Sequence, residues 1–230
     1  MVVISVSYNV MIDLHMHTLL SDGVLLPAEL IQRAASAGYT ALALTDHVDM
    51  SNIDFVIPRI VSALKEIAPF SRMIIIPGAE ITHVPPKLIP EMVRRARGLG
   101  AKIIVVHGET LAEPVAPGTN RAGIEAGADI ISHPGLISRE DALRATELGV
   151  ALEITSRKGH SISNGHVAKI AAETGAALVI NTDSHGPEDL LTLEKARNIL
   201  LAAGIAEDKI HAVLENSVKL AEKNREDINA

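Results

Sequence analysis

Cysteine is absent from this 230-residue chain, which excludes disulfides, thiolate-bound zinc and a thiol nucleophile. The absence fits a reducing compartment, and the expected location is cytoplasmic. Tryptophan is also absent, and Phe and Tyr supply two residues each. That is little material for stacking bases. Basic charge is not in excess either, with 21 Lys and Arg against 28 Asp and Glu and a net charge of −7. A nucleic-acid binder would show a basic stripe, so nucleic acid is not an expected partner. A small phosphorylated substrate remains open, because bound metal ions supply positive charge that side chains do not.

Long hydrophobic runs are missing as well. Nothing approaches the roughly eighteen apolar residues of a membrane span. The opening MVVISVSYNV is apolar but lacks a basic start and a small-residue cleavage pattern, so it does not read as a signal peptide. Residues 1–10 are read as an extension ahead of a pattern that begins at Met11.

What the chain does contain is aliphatic. Hydrophobic residues make up 47% of it and aromatics only 2%, so the core is built from Ala, Val, Ile and Leu. Short β-branched runs fall at 11–15, 40–46, 73–80, 102–108, 128–134, 150–156 and 177–183. They suit parallel strands buried on both faces. Amphipathic stretches alternate with them at 27–37, 55–68, 87–99, 119–126, 138–148, 163–174 and 188–203. Pro27 suits a first helical position, Ser138 and Ser163 look like N-caps, and Gly38, Gly100, Gly149, Gly175 and Gly204 follow helix-like runs. No linker or low-complexity tract interrupts the rhythm. The expectation is one α/β domain over 1–230, a closed or nearly closed parallel barrel, with 205–230 as closing helices. A doubly wound open sheet is the alternative.

In such a barrel, active sites form at the C-terminal strand ends. Reading those ends in order gives His15 and His17, then His47, Glu80, His107 and His133, and finally Asp183 with His185. Residues i and i+2 of a strand share a face, so Asp13, His15 and His17 are expected to point inward together. Imidazole and carboxylate are ligands for zinc, manganese and iron. So many groups at one mouth exceed the needs of one tetrahedral ion, which points to two or three divalent ions. Asp13 and Asp46 are expected to orient ligand imidazoles from behind.

The combination of DLHMH, TDH, PGAE, a strand-end HG, SHPG and TDSHG resembles the PHP (polymerase and histidinol phosphatase) family, in its stand-alone histidinol-phosphatase-like branch. The likeness runs from residue 12 to about residue 190. It implies a distorted (β/α)7 barrel with a trinuclear metal site. By motif, His15, His17, Glu80 and Asp183 would hold one ion. Glu80 would bridge to a second, completed by His107 and His133. Asp22, His47 and His185 would hold the third. The amidohydrolase barrel is the nearest rival, but it typically has eight strands and often a bridging lysine after the fourth. Here the fourth strand ends in His107, and Lys102 lies at its start.

The expected activity is metal-dependent hydrolysis of a small phosphomonoester by activated water. Arg157, and less strongly Lys158, are expected to contact phosphate, and His160 to protonate the leaving oxygen. Arg121 and Asn120 are weaker candidates for substrate contact. His83 is read as a loop-tip residue near the mouth, His166 as structural and His211 as exposed. The alternatives are a phosphodiesterase or nuclease acting on nucleotides or nucleic-acid ends, and a non-catalytic subunit.

Overall fold

The computed structural model describes residues 10–225. Residues 1–9 of the expected extension, and those after 225, lie outside the described residues. Seven principal parallel strands run β1 (Met11–Met16), β2 (Tyr39–Leu44), β4 (Ile74–Ile81), β5 (Ile103–His107), β6 (Ile130–Ser132), β7 (Ala151–Thr155) and β8 (Leu178–Asn181), in that order across the sheet. The two-residue β3 (His47–Val48) pairs only with β4, placing His47 opposite Glu80. The fold is a nearly closed parallel α/β barrel.

The helices are α1 (Pro27–Ser36), α2 (Ile53–Ile67), α3 (Ile89–Gly98), α4 (Thr119–Glu125), α5 (Arg139–Leu148), α6 (Asn164–Thr174), α7 (Leu193–Ala202) and α8 (Glu207–Lys223). Pro27 opens α1, where its missing N–H costs no hydrogen bond. The Ser138 hydroxyl accepts from the Asp141 N–H and caps α5. Ser163 differs from expectation: its backbone is already helical and its hydroxyl donates to the His160 carbonyl, so it caps nothing. The stretch at 188–203 becomes a 3-10 turn and then α7, which Thr192 caps. Among the described residues no helix is long and apolar enough to cross a membrane.

Two layers of aliphatic side chains follow from strand alternation. Ile12, Leu14, Ile74, Ile76, Ile103, Val105, Ile130 and Val179 fill the barrel interior, while their neighbours pack outward under the helices. Ala221 of α8 joins the interior cluster, and Val10 and Val218 pack against it. The segment expected to close the barrel therefore seals its N-terminal end through α8. Access is left at the opposite end, where the histidines lie.

The β1–β8 seam carries one isolated bridge, Met16 to Ser184. Side chains do the rest. Asp13 accepts from the Thr182 hydroxyl at 2.5 Å and from its N–H, and Asn181 Oδ1 accepts from the Leu14 N–H at 2.9 Å. Asp13 is thus a seam clasp, not the support for an imidazole that its spacing suggests. Full burial raises its pKa to about 7, against the lowering effect of the Thr182 hydrogen bond. Asp46 likewise binds Thr18 and Ser21 of the loop after β1 and no histidine.

Candidate metal centre

Inward alternation along β4 runs Ile74, Ile76, Gly78, Glu80, so the strand delivers Glu80 to the floor of the mouth. A Cβ at Gly78 would lie 2.7 Å from Thr45 and 2.8 Å from the Ile103 carbonyl. Only glycine lets the neighbouring strands close beneath Glu80. The same alternation brings His107 up behind Ile103 and Val105 on β5. On β1 a register shift between Asp13 and Met16 breaks strict alternation and re-aims the strand exit. Leu14 stays in the inner core while the His15 imidazole reaches Glu80.

Glu80 is the hub. Its carboxylate lies 2.7 Å from His47 Nδ1, 3.2 Å from His15 Nε2, 3.4 Å from His107 Nδ1, 3.6 Å from His17 Nε2 and 3.8 Å from His133 Nε2. The Ser132 hydroxyl donates to Oε1 at 2.7 Å and fixes its rotamer. Asp183 stands beside it, 3.1 Å from His17 Nε2 and 3.6 Å from His133 Nε2. Toward solvent, Asp22 meets His185 at 3.1 Å and His47 at 3.6 Å.

Among the described residues, the histidines and acids of the mouth fall into five clusters whose ligand atoms lie within 4.8 Å of one another: His17, Asp22, His47 and His185; His15, His17 and Asp183; His47, Glu80 and His107; His83, His107 and Glu113; and His133, His160 and Asp183. All nine residues expected as ligands are brought to one mouth. The grouping differs from the expected one in several respects: Glu80 groups with His47 and His107 and not with His15 and Asp183, His133 sits with His160 and Asp183, and His17 also joins Asp22, His47 and His185.

The chemistry of this donor set fits divalent cations. Ten buried side-chain nitrogen or oxygen atoms lack a hydrogen-bond partner among the described residues, and nine of them belong to His15, His17, Glu80, His107, His133 and Asp183. Buried polar atoms are normally paired, because leaving one unpaired costs about 1–3 kcal/mol. Here neighbouring oxygens and nitrogens lie close together but off the hydrogen-bonding axis, aimed at shared space between them. Backbone strain gathers at the same place. Among the described residues the non-glycine positions with positive φ are His83 at 52°, His133 at 28° and Asp183 at 53°.

Electrostatics knit the set together. Burial is the largest single influence and would depress His15 and raise Glu80, but the surrounding opposite charges together outweigh it. Glu80, Glu153 and Asp183 hold His15 well above its ordinary value, and His15, His47 and His107 hold Glu80 well below its own. His107 is carried to about 9, with Glu80 and Glu113 overcoming its burial. His133 goes the other way, lowered by burial and by His107. A pH prediction follows for the metal-free protein. His107 keeps its proton up to about pH 9 and must lose it to bind a cation, so apparent metal affinity should rise with pH between 6.5 and 9. The rise should be up to about tenfold per unit for each proton displaced. Chelator-competition titrations at three pH values check it, and a flat affinity would contradict it.

Further residues complete the centre that the sequence reading did not single out. Glu153 of β7, fully buried, accepts from His15 Nδ1 at 2.8 Å and Asn181 Nδ2 at 2.9 Å. Glu113, in the loop after β5, faces His83, His107 and His160. Thr82 contacts His47 Nδ1 at 2.6 Å.

Other expected residues are placed as follows. His160 is buried, with its ring on His133 at a centroid distance of 4.2 Å and Nδ1 on the Thr110 hydroxyl. Arg157 pairs with Asp189 at 3.2 Å, and Asp189 also accepts from the His185 N–H. Lys158 is exposed. Arg121 is bound to Glu140 and Asp141 on the flank of α4 and α5, and Asn120 clamps Glu109 to Pro134. Both serve the scaffold and do not reach the cluster. His83 stands at the rim, His166 binds the Ile137 carbonyl, and His211 is on the surface.

The PHP domain profile matches residues 13–108. An uncharacterised protein of Methanocaldococcus jannaschii is 47% identical over 204 residues, covering 88% of this chain and 94% of that one. A probable phosphatase of Shewanella sp. strain ANA-3 is 36% identical over 118 residues, 43% of this chain and 47% of that protein. This chain therefore matches about half the length of that relative. The 5'-3' exoribonuclease Rnm of Escherichia coli is 28% identical over 211 residues, 86% of this chain and 64% of the enzyme. Among solved structures, a chain of archaeal ribonuclease P with mature tRNA superposes with a TM-score of 0.71 at 18% identity, covering 93% of this chain and 91% of that one. Histidinol phosphate phosphatase of Lactococcus lactis, complexed with zinc, L-histidinol and phosphate, gives 0.60 at 16%, covering 85% and 94%. At these identities the structural likenesses speak for the fold alone. With the strand-end motifs, the barrel and the profile match in agreement, the chain belongs to the PHP domain family.

Proposed function

We propose that this protein is a metal-dependent phosphoesterase acting on a small phosphomonoester. The observation that carries the reading is Glu80, a fully buried carboxylate within 3.8 Å of ring nitrogens from five histidines. In this reading two or three divalent ions, of zinc, manganese or iron, occupy the mouth. His15, His17, Glu80 and Asp183 would hold one, Glu80, His107 and His133 a second, and Asp22, His47 and His185 a third. Bound there, such ions supply a water of lowered pKa and neutralise phosphoryl charge.

The chain's own groups do the positioning. Glu153 holds the His15 ring so that Nε2 faces Glu80, and Ser132 holds Glu80 itself. The Arg157 guanidinium, already steadied by Asp189, reaches toward phosphoryl oxygens. His160, anchored through Nδ1 to Thr110, turns Nε2 toward the mouth and delivers a proton to the leaving oxygen. A second reading, cleavage of phosphodiesters in nucleotides or at nucleic-acid ends, draws support from the exoribonuclease likeness over 86% of the chain. The net charge of −7 and the scarcity of aromatics weigh against long polymers.

The test is phosphate release by the manganese- or zinc-loaded protein. The panel covers small phosphomonoesters, histidinol phosphate and nucleoside monophosphates included, with dinucleotides alongside. Turnover of a monoester supports the reading and its preference identifies the substrate. Turnover of dinucleotides alone transfers the site to the second reading.

A further inference from the structure

One carboxylate at the mouth has no place in the family-implied ligand set. Glu113 lies in the loop 108–118 between β5 and α4 and is partly exposed. Its Oε2 is 3.2 Å from His83 Nε2 and 3.3 Å from His107 Nε2, and its Oε1 is 3.5 Å from His160 Nε2. The two nitrogens of His107 are thereby divided. Nδ1 faces Glu80 Oε1 at 3.4 Å, inside the cluster, and Nε2 faces Glu113 on the far side of the ring.

That division is what a histidine ligand requires. One nitrogen offers a lone pair to the cation, the other keeps its proton, and a carboxylate taking that proton's hydrogen bond fixes tautomer and ring orientation. His15 shows this arrangement fully formed, with Nε2 toward Glu80 and Nδ1 hydrogen-bonded to Glu153, whereas His107 Nε2 faces Glu113 at 3.3 Å but off the hydrogen-bonding axis. We propose that Glu113 is the positioning residue for His107, presenting its Nδ1 to the cation shared with Glu80. Through the same carboxylate it draws His83 and His160 to the rim. The proposal rests on the reading of His107 as a metal ligand.

The two ends of the loop that carries Glu113 are fixed. Glu109 Oε1 accepts from the N–H groups of Gly118 and Asn120, and Asn120 Oδ1 accepts from the Glu109 N–H. The loop also packs against Gly135, where φ is +62° and a Cβ would fall 1.8 Å from the Glu109 carbonyl. His83 adds an independent sign. It shares the positive-φ backbone of the proposed ligands His133 and Asp183, and a strained backbone persists where surrounding structure enforces it.

The experiment is chelator competition with zinc or manganese on the full chain, paired with melting of the metal-free proteins. Glu113→Ala should weaken the ion held through His107 by about 10–100-fold. Glu113→Gln, which keeps an acceptor oxygen, should weaken it less, and both metal-free proteins should melt with the wild type because Glu113 is on a half-exposed loop. His107→Ala, measured alongside, should lose that ion. Wild-type affinity in Glu113→Ala with loss in His107→Ala overturns the proposal and leaves the site reading standing. Wild-type affinity in both variants overturns the site reading and the proposal with it. A Glu113→Ala protein that binds weakly and also melts early without metal assigns Glu113 to the fold, against the proposal.

Discussion

Glu80→Ala is expected to lower metal-dependent phosphate release by about 10³-fold or more. The size follows from what the carboxylate touches. Five imidazoles converge on it, and in the proposed reading it would serve as a ligand to two ions, so its removal would disturb both. Cation stabilisation of phosphoryl charge is worth several kcal/mol, and each ~1.4 kcal/mol is tenfold in rate. Glu80→Gln keeps the shape and loses the charge, so it should fall nearly as far. Glu80 enters the β4 ladders through its backbone alone and the α8 seal does not involve it, so both variants should keep the wild-type circular dichroism. Activity within tenfold of wild type in a folded Glu80→Ala protein would remove the hub from the account.

The second large effect is on stability. Glu153→Ala should cost about 3–5 kcal/mol in denaturant unfolding of the metal-free protein, the range for breaking a buried charged pair from one side. Three donors lose an acceptor at once: His15 Nδ1, Asn181 Nδ2 and, at 3.3 Å, the His133 N–H. Asn181 also carries the β1–β8 seam through Leu14, so the loss extends from the site to barrel closure. Metal affinity should fall with it, by about 10–100-fold, as His15 loses its orientation. A change below about 1 kcal/mol would mean that water replaces the carboxylate without penalty.

Strand ends were the most legible part of this chain. Aliphatic runs with a histidine or acid at the last position announce both the parallel barrel and its working end, since alternation and βα rhythm are local properties. His15, His17, His47, Glu80, His107, His133, Asp183 and His185 could be located this way because each sits within two residues of such a run, while Asp22 entered through the family likeness. Asp13 could not be understood locally. Its partner Thr182 is 169 residues away, and spacing alone made it look like one more inward group of HxH. Glu153 left a signal that was not used: a glutamate inside the apolar run VALEITS is a charge in a buried strand, which demands partners. Glu113 left none, because a glutamate in a loop looks the same whether it is solvated or faces three histidines. Arg121 shows the converse error. A cation near a strand end is a reasonable phosphate contact until Glu140 and Asp141 of the next helix turn out to hold it.

The claim on which everything else depends is that this mouth holds a cluster of divalent ions. Elemental analysis of the full chain, saturated with zinc or manganese and freed of loose metal, tests it most directly. The account predicts two to three ions per chain, with the count reduced in Glu80→Ala. A folded wild-type protein that retains one ion or none, or a Glu80→Ala protein that retains the full complement, would contradict it.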